Sequence, residues 1–312
     1  MKVVIVGGVA GGATAAARIR RLDEYAEIVV FERTGYVSYA NCGLPYYIGG
    51  VIADPAELTL QTPERFRARF GIDVRVRHEV TAIYPERKAV RVQNLDTGTV
   101  FEEHYDKLLL SPGAQPTQPE LPGVEAERVF TLRTVEDTLR IRAFVEREKP
   151  RSAILAGGGF ISLELAENLR ELGVDVTIVQ RPAQLLNTLD PEMASFIHAE
   201  MRRRGVRLMI GHSVTGFREE HGGVQVLLKG EPSLRADMVV LAIGVTPDTR
   251  LAREAGLALG RKGSIAVNER METSAKDVYA VGDAVEIWHT VTGQKTLLSL
   301  AGPANKQGRI AA

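Results

Sequence analysis

The feature that most limits what this chain can fold into is that it is written twice. "KVVIVGGVAGGATAAARIRRL" begins at Lys2, and "SAILAGGGFISLELAENLREL" begins at Ser152. Each reads as an apolar strand, a glycine turn and a helix, with Gly7 and Gly157 in corresponding places. An uninterrupted apolar run before a glycine turn suits a strand buried on both faces. A second strand follows each time, "AEIVVFER" and "VDVTIVQR". Further on, "GIDVRVRHEVTAI" resembles "GVRLMIGHSVTGF", and each leads into alternating apolar and polar residues that imply a short β-meander. The two copies close on "LLLSPGAQP" and "VVLAIGVTP". The expected fold is α/β: two Rossmann-like dinucleotide-binding domains, each with a small β-meander, from a duplicated βαβ scaffold.

The joints are also legible. "PGAQPTQPELPG" (112–123) reads as an extended linker, and "IGVTPDT" (243–249) as the return. Beyond it, "KDVYAVGDA" is one strand more than a simple tandem needs. The first domain is therefore expected to be discontinuous, 1–112 plus 246–312, with the second, 113–245, inserted into it.

Composition narrows the function classes. Lys plus Arg and Asp plus Glu both number 39, so no net field draws nucleic acid or an anionic membrane, and neither is an expected partner. No segment approaches the ~20 apolar residues of a membrane span, and the N-terminus is not a signal peptide. One cysteine excludes an internal disulfide framework and points to a reducing cytoplasm. Six scattered histidines show no ligand spacing, so no metal site is expected.

A glycine turn lets the backbone approach a pyrophosphate, while the following helix offers free N–H groups; an acid ending the second strand holds ribose hydroxyls. Gly7 and Gly12 fill the outer positions of the first turn, with Val9 where the middle glycine belongs. Glu32 lies about 20 residues further on, where the acid belongs. In the second copy Gly157 and Gly159 fit, Ser162 replaces the third glycine, and Gln180 with Arg181 stands where the acid would be. A neutral Gln beside an Arg can admit NADPH as well as NADH, so the choice stays open. Two dinucleotide sites in one chain imply two cofactors exchanging electrons, a nicotinamide and a flavin.

"VGGVAGGATAAARIRRL", "YANCGLPYYIGG", "SPGAQP", "TSAKDVYAVGDA" and "LAGPANKQGR" together resemble the FAD-dependent pyridine nucleotide–disulfide oxidoreductases. The branch most similar has one redox cysteine and contains coenzyme A-disulfide reductases, NADH oxidases and NADH peroxidases. The resemblance implies that FAD is bound through Gly7, Gly12, Glu32, Arg33, Val80, Ser111, Gly113, Asp283 and Ala301. It implies NADH or NADPH at Gly157, Gly159, Phe160, Ile161, Glu164, Gln180 and Gly244. Cys42 would be the catalytic thiol, and Arg18, Arg21, Ser38 and Asn41 would meet coenzyme A or a related small thiol. The family also carries a C-terminal dimerisation domain, absent from this chain, and a homodimer is implied where that domain is present.

Cys42 precedes a stretch in which Pro45 suits a first helical turn and Asn41 a cap, a setting that favours a thiolate. A lone thiolate can hold a mixed disulfide with a small thiol or become a sulfenic acid. The first gives a reductase of coenzyme A disulfide, persulfide or polysulfide; the second an NADH oxidase or peroxidase. The oxidase and peroxidase relatives carry a histidine in the first glycine turn, where this chain has Ala10, which cannot handle protons. The reductase reading is therefore preferred. A non-catalytic redox sensor or electron-transfer partner is the alternative of another class.

Overall fold

A computed structural model describes residues 1–312. In chain order, the elements that position the sites are β1 (Lys2–Val6), α1 (Ala10–Leu22), β2 (Glu27–Glu32), α2 (Leu44–Ile48), β3 (Asp73–Val76), β4 (Lys107–Leu110), β5 (Val129–Thr131), α3 (Val135–Glu148), β6 (Ser152–Ala156), α4 (Phe160–Glu171), β7 (Asp175–Gln180), β8 (Arg207–Ile210), β9 (Met238–Leu241), β10 (Val278–Ala280) and α5 (Ala301–Ala311). They belong to two compact units. The first comprises 1–39, 59–115 and 246–312; the second comprises 40–58 and 116–245. The segment that carries Cys42, within the expected first domain of 1–112, packs in the second unit.

The first unit is built on a five-stranded sheet ordered β10-β4-β1-β2-β3, parallel throughout. Apart from their charged ends its central strands are apolar at every position because both faces are covered. Val4, Val6, Phe31 and Leu110 point to one face, where they meet Val80, Val90 and Val92 of an antiparallel meander (His78–Tyr84, Ala89–Asn94, Val100–His104). Val3, Ile5, Val30 and Leu109 point to the other and pack on Ala15, Ala16 and Ile19 of α1. Small alanines on that face let α1 lie close to the sheet. The edge strand β10 comes from the far end of the chain. Asp277, just before it, is gripped by Lys107 and Lys88, which hold its carboxyl down to about 2.

The second unit repeats the plan. Its parallel sheet is ordered β8-β7-β6-β9-β5, and Val214–Glu220, Gly223–Leu228 and Glu231–Ala236 form its meander. Here the edge strand, β5, precedes the repeat instead of following it. The first strand of each meander has an irregular register, between Val80 and Ala82 and between Val214 and Gly216. No helix is long and apolar enough to cross a membrane, and no group of three His, Cys, Asp or Glu side chains could hold a metal ion.

Candidate functional site

The glycine turn after β1 is shaped by close backbone approach. Gly7 has φ +94°, and a Cβ there would fall 2.1 Å from the Ser111 carbonyl oxygen. A Cβ on Gly12 would fall 1.9 Å from the carbonyl oxygen of Gly7, so α1 can start this close to the strand only without a side chain. The Gly12 N–H donates to Ser111 Oγ at 3.1 Å. Ser111, which follows β4, thus closes the turn from beside the neighbouring strand.

Glu32 ends β2 nearly buried, with 6% of its surface exposed. Its Oε2 accepts the Gly8 N–H at 2.9 Å, and its Oε1 accepts both the N–H and the hydroxyl of Thr34, each at 2.9 Å. Ser38, with φ +48°, returns its N–H to the Gly8 carbonyl at 2.8 Å. Glu32 and Ser38 are therefore joined by hydrogen bonds at Gly8, and beside them Gly12 is bonded to Ser111, against which Gly7 packs.

The remaining residues expected around FAD have individual settings. Arg33 pairs with Asp248 at 2.8 Å, and the Asp248 N–H donates to the Gly113 carbonyl. Val80 is a core side chain, so only its backbone is left for a ligand. Asp283 lies in the turn after β10, next to β4 in the sheet. Gly282, in that turn, donates its N–H to the buried Gln307 Oε1 at 2.7 Å. Gln307 belongs to α5, whose first residue, Ala301, is exposed. Helix α5 rests on α1 so closely that a Cβ on Gly308 would lie 2.5 Å from the Gly11 carbonyl, and Thr14 donates its hydroxyl to Asn305 Oδ1. Arg18 and Arg21 are one turn apart on the exposed side of α1, with no ion pair or hydrogen bond of their own.

In the second unit a Cβ on Gly157, φ +116°, would fall 2.2 Å from the Ala242 carbonyl. Gly244, two residues on, has φ +120°. Gln180 is buried against Gly158 and donates its amide to the Gln184 carbonyl at 3.1 Å. Arg181 is exposed and unpaired. Gly159 and Phe160 open helix α4; a Cβ on Gly159 would meet nothing within 4 Å, and Phe160 is 61% exposed. Ile161 is half-buried. Burial, then the charge of Glu167, raises the Glu164 carboxyl above its ordinary value.

Cys42 is an exposed free thiol in a single 3-10 turn, Asn41–Gly43, that runs directly into α2. The Asn41 side chain is not the cap expected from sequence. Gly43 holds the N-cap place of α2 without a side-chain bond, and Asn41 Nδ2 donates to the Arg133 carbonyl at 3.4 Å. Asn is too far upstream, by one tight turn, to reach the first free N–H groups of the helix.

The two turns are suited to phosphates. Neither α1 nor α4 has a side-chain bond from its N-cap residue or an acid in its first turn, so, apart from the Gly12 N–H taken by Ser111, their N-terminal N–H groups and positive dipole ends stay available to an anion. Helix α3, by contrast, is closed by a capping box of Thr134 and Asp137.

The sequence pattern of the pyridine nucleotide–disulphide oxidoreductases matches residues 1–308. This chain belongs to that family. A coenzyme A disulfide reductase of Staphylococcus aureus (strain JH9) is 36% identical over 311 residues, which are all of this chain and 69% of that protein. Reduced Bacillus anthracis CoADR-RHD superposes with a TM-score of 0.97 at 48% identity, over 99% of this chain and 56% of that one. An NAD-dependent persulfide reductase from A. fulgidus superposes with a TM-score of 0.96 at 37% identity, over 100% of this chain and 58% of that one. The chain thus spans little more than half the length of these two solved relatives. The family uses FAD and a pyridine nucleotide, and the residues present fit both: each uncapped turn is a cradle with no room for another Cβ on its sheet side.

Proposed function

We propose that this chain is the flavin- and nucleotide-binding part of an NAD(P)H-dependent reductase of small disulfides or persulfides, with a coenzyme A conjugate as the preferred substrate. The observation that carries the reading is the single, exposed thiol of Cys42 at the start of α2. These 312 residues hold no second cysteine, and the reading takes the sulfur partner from the substrate.

Gly7, Gly12, Glu32, Ser111 and Asp283 would hold FAD, which would supply the two-electron exchange between pyridine nucleotide and sulfur. Cys42 Sγ rests as one half of a mixed disulfide with the small thiol. Two electrons break that S–S bond; Cys42 keeps a thiolate, and the small thiol leaves with a proton. The Cys42 thiolate then attacks the next disulfide, forming a new mixed disulfide and expelling a second thiolate, which takes a second proton. The balance is NAD(P)H, one proton and one disulfide in, NAD(P)+ and two thiols out. Arg18 and Arg21, unpaired and on one helix face, offer two guanidinium groups to the phosphates of the coenzyme. Ala10 at the start of α1 leaves the turn without a group able to exchange protons, which favours a sulfur acceptor over peroxide. A lone free thiol also fits a reducing cytoplasm.

Mass spectrometry of the intact, non-reduced protein, with peptide mapping around Cys42, tests the reading. An adduct of coenzyme A mass on Cys42, released by dithiothreitol, is the expected result. A sulfenic acid on Cys42 with no adduct would replace it with the oxidase or peroxidase reading. A Cys42→Ser variant with parental NAD(P)H turnover would point to a sensor or electron carrier.

A further inference from the structure

The helix that follows the thiol is too short to stand alone. Five residues fall far below the length at which an isolated helix persists in water, and the last carbonyls of any helix lack partners within it. In α2 the carbonyls of Pro45, Tyr46 and Tyr47 accept the N–H groups of Gly49, Ile52 and Gly50, and the last two carbonyls of the helix, of Tyr47 and Ile48, also meet one side chain from a distant part of the sequence. Arg142 of α3 donates Nη1 to the carbonyls of Tyr47 and Ile48 at 3.1 and 3.0 Å. Its guanidinium also lies 5.8 Å from the Tyr47 ring centroid and is steadied by Glu146 at 2.5 Å.

The backbone just past the helix is shaped to the same neighbours. Gly50 turns away at φ +81°, where a Cβ would come within 3.0 Å of Arg142 Nη1. At Gly49 a Cβ would lie 2.1 Å from Oδ1 of Asn168, a buried residue of α4 whose amide donates to the Glu164 carbonyl at 2.8 Å. Leu44 and Ile48 are buried one turn apart, so α2 is held by its apolar face and its C-terminal end while Cys42, at the other end, stays exposed.

We propose that Arg142 is a positioning residue for the Cys42 thiol, acting through the two carbonyls that end α2. The role rests on the reading of Cys42 as the reacting sulfur. Arginine suits it because one guanidinium can reach two carbonyls and a carboxylate together, in a fixed fork. Without those donors the Ile48 carbonyl loses its partner and the last turn of α2 loosens, which shifts the 3-10 turn that precedes the helix.

The test is the rate at which iodoacetamide alkylates Cys42 in the full-length, FAD-loaded chain, followed by intact mass. With one cysteine, each event is counted without ambiguity. Arg142→Met keeps the aliphatic stem and removes the donors. It is expected to change the alkylation rate by about fivefold or more, the loss of two hydrogen bonds from a charged donor. Arg142→Lys, which retains a charged donor, is expected to restore most of the parental rate. Arg128→Met is the control: Arg128 likewise joins a carboxylate (Glu148), a carbonyl (Asp237) and a ring (Phe144) in the same unit. An Arg142→Met rate equal to the parent overturns the proposal. So does a Lys variant that restores nothing, or an Arg128→Met that matches Arg142→Met, since either assigns the effect to general loosening. Alkylation reads the thiol itself, so failure to find a coenzyme adduct on Cys42 would refute the proposed function and leave this test intact.

Discussion

Laid side by side, the two nucleotide-binding units agree where backbone meets backbone and differ where a ligand would be touched. Gly7 and Gly157 lie against the carbonyls of Ser111 and Ala242 in the same way. Ser38 and Leu186 occupy the same left-handed conformation, φ +48° and +46°, and return their N–H groups to Gly8 and Gly158 at 2.8 Å. Arg20 gathers the carbonyls of Ala26 and Phe70, and Arg170 those of Val174 and Arg204, each tying its helix to the two loops beside it. The corresponding pairs that diverge are Glu32 and Gln180, Gly12 and Ser162, and Thr14 and Glu164. At Gly7 and Gly157 the duplicated scaffold is held constant by sterics that tolerate no Cβ; at the third glycine that limit holds for Gly12 and has been lifted at Ser162, and the other two pairs differ in chemistry.

The strongest way to break the comparison is at the third glycine. Gly12→Ala drives a Cβ into the Gly7 carbonyl and is expected to cost about 3 kcal/mol or more in denaturant unfolding, with loss of bound FAD. Ser162→Ala deletes a fully buried hydroxyl with no partner and is expected to leave stability unchanged or raised. Equal losses at both positions would mean that the two turns are sterically alike after all.

The next largest effect lies at the strand ends. Glu32→Gln faces the Gly8 and Thr34 donors with an amide that can satisfy only part of them. It is expected to cost about 2 kcal/mol and to weaken FAD retention, measured by unfolding and by flavin content after dialysis. The reciprocal change, Gln180→Glu, restores the acid that repels a 2′-phosphate. It is expected to raise KM for NADPH about tenfold and leave KM for NADH near the parental value. A variant that treats both nucleotides alike would remove Gln180 from the recognition of the ribose.

The smallest effect is electrostatic. Burial and Glu167 raise the Glu164 carboxyl above 4.5, so the folded chain holds that proton more tightly than the unfolded one. Its contribution favours folding below 4.5 and is lost as pH rises through the folded value. Glu164→Gln is uncharged throughout, and is expected to unfold at slightly higher urea than the parent at about pH 7 and together with it at about pH 4. Thr14→Gln in the first unit, where no carboxyl is present, should show no such dependence on pH.

The sheets were legible because their cause is local. "VVIV" and "AILA" carry their burial on both faces in the run itself, and the glycines mark where it stops. The cradle around Glu32 was half legible: the spacing names the acid, but Thr34 as its second partner follows from a bend the sequence does not announce. The contribution of Gln307 was hidden inside "LAGPANKQG", since its bond to Gly282 depends on the packing of α5 against α1. Arg142 left no trace at all. A single side chain meeting carbonyls 94 and 95 positions away has no periodicity and needs no particular neighbours. The Asn41 cap failed for a local reason: Asn41 opens a 3-10 turn that separates it from the start of the helix it was expected to close.

The division of the chain among the units has a consequence for the order of events during synthesis. Residues 40–58 emerge from the ribosome early, yet the unit in which they pack is completed only by residue 245. The first sheet, likewise, waits for its edge strand until residue 280 has been made. For most of translation the thiol of Cys42 therefore rides on a segment with nothing to fold against, open to any oxidant or stray thiol. The nascent chain fixes the place of that sulfur, which stays exposed, only after the whole of the inserted unit has been released.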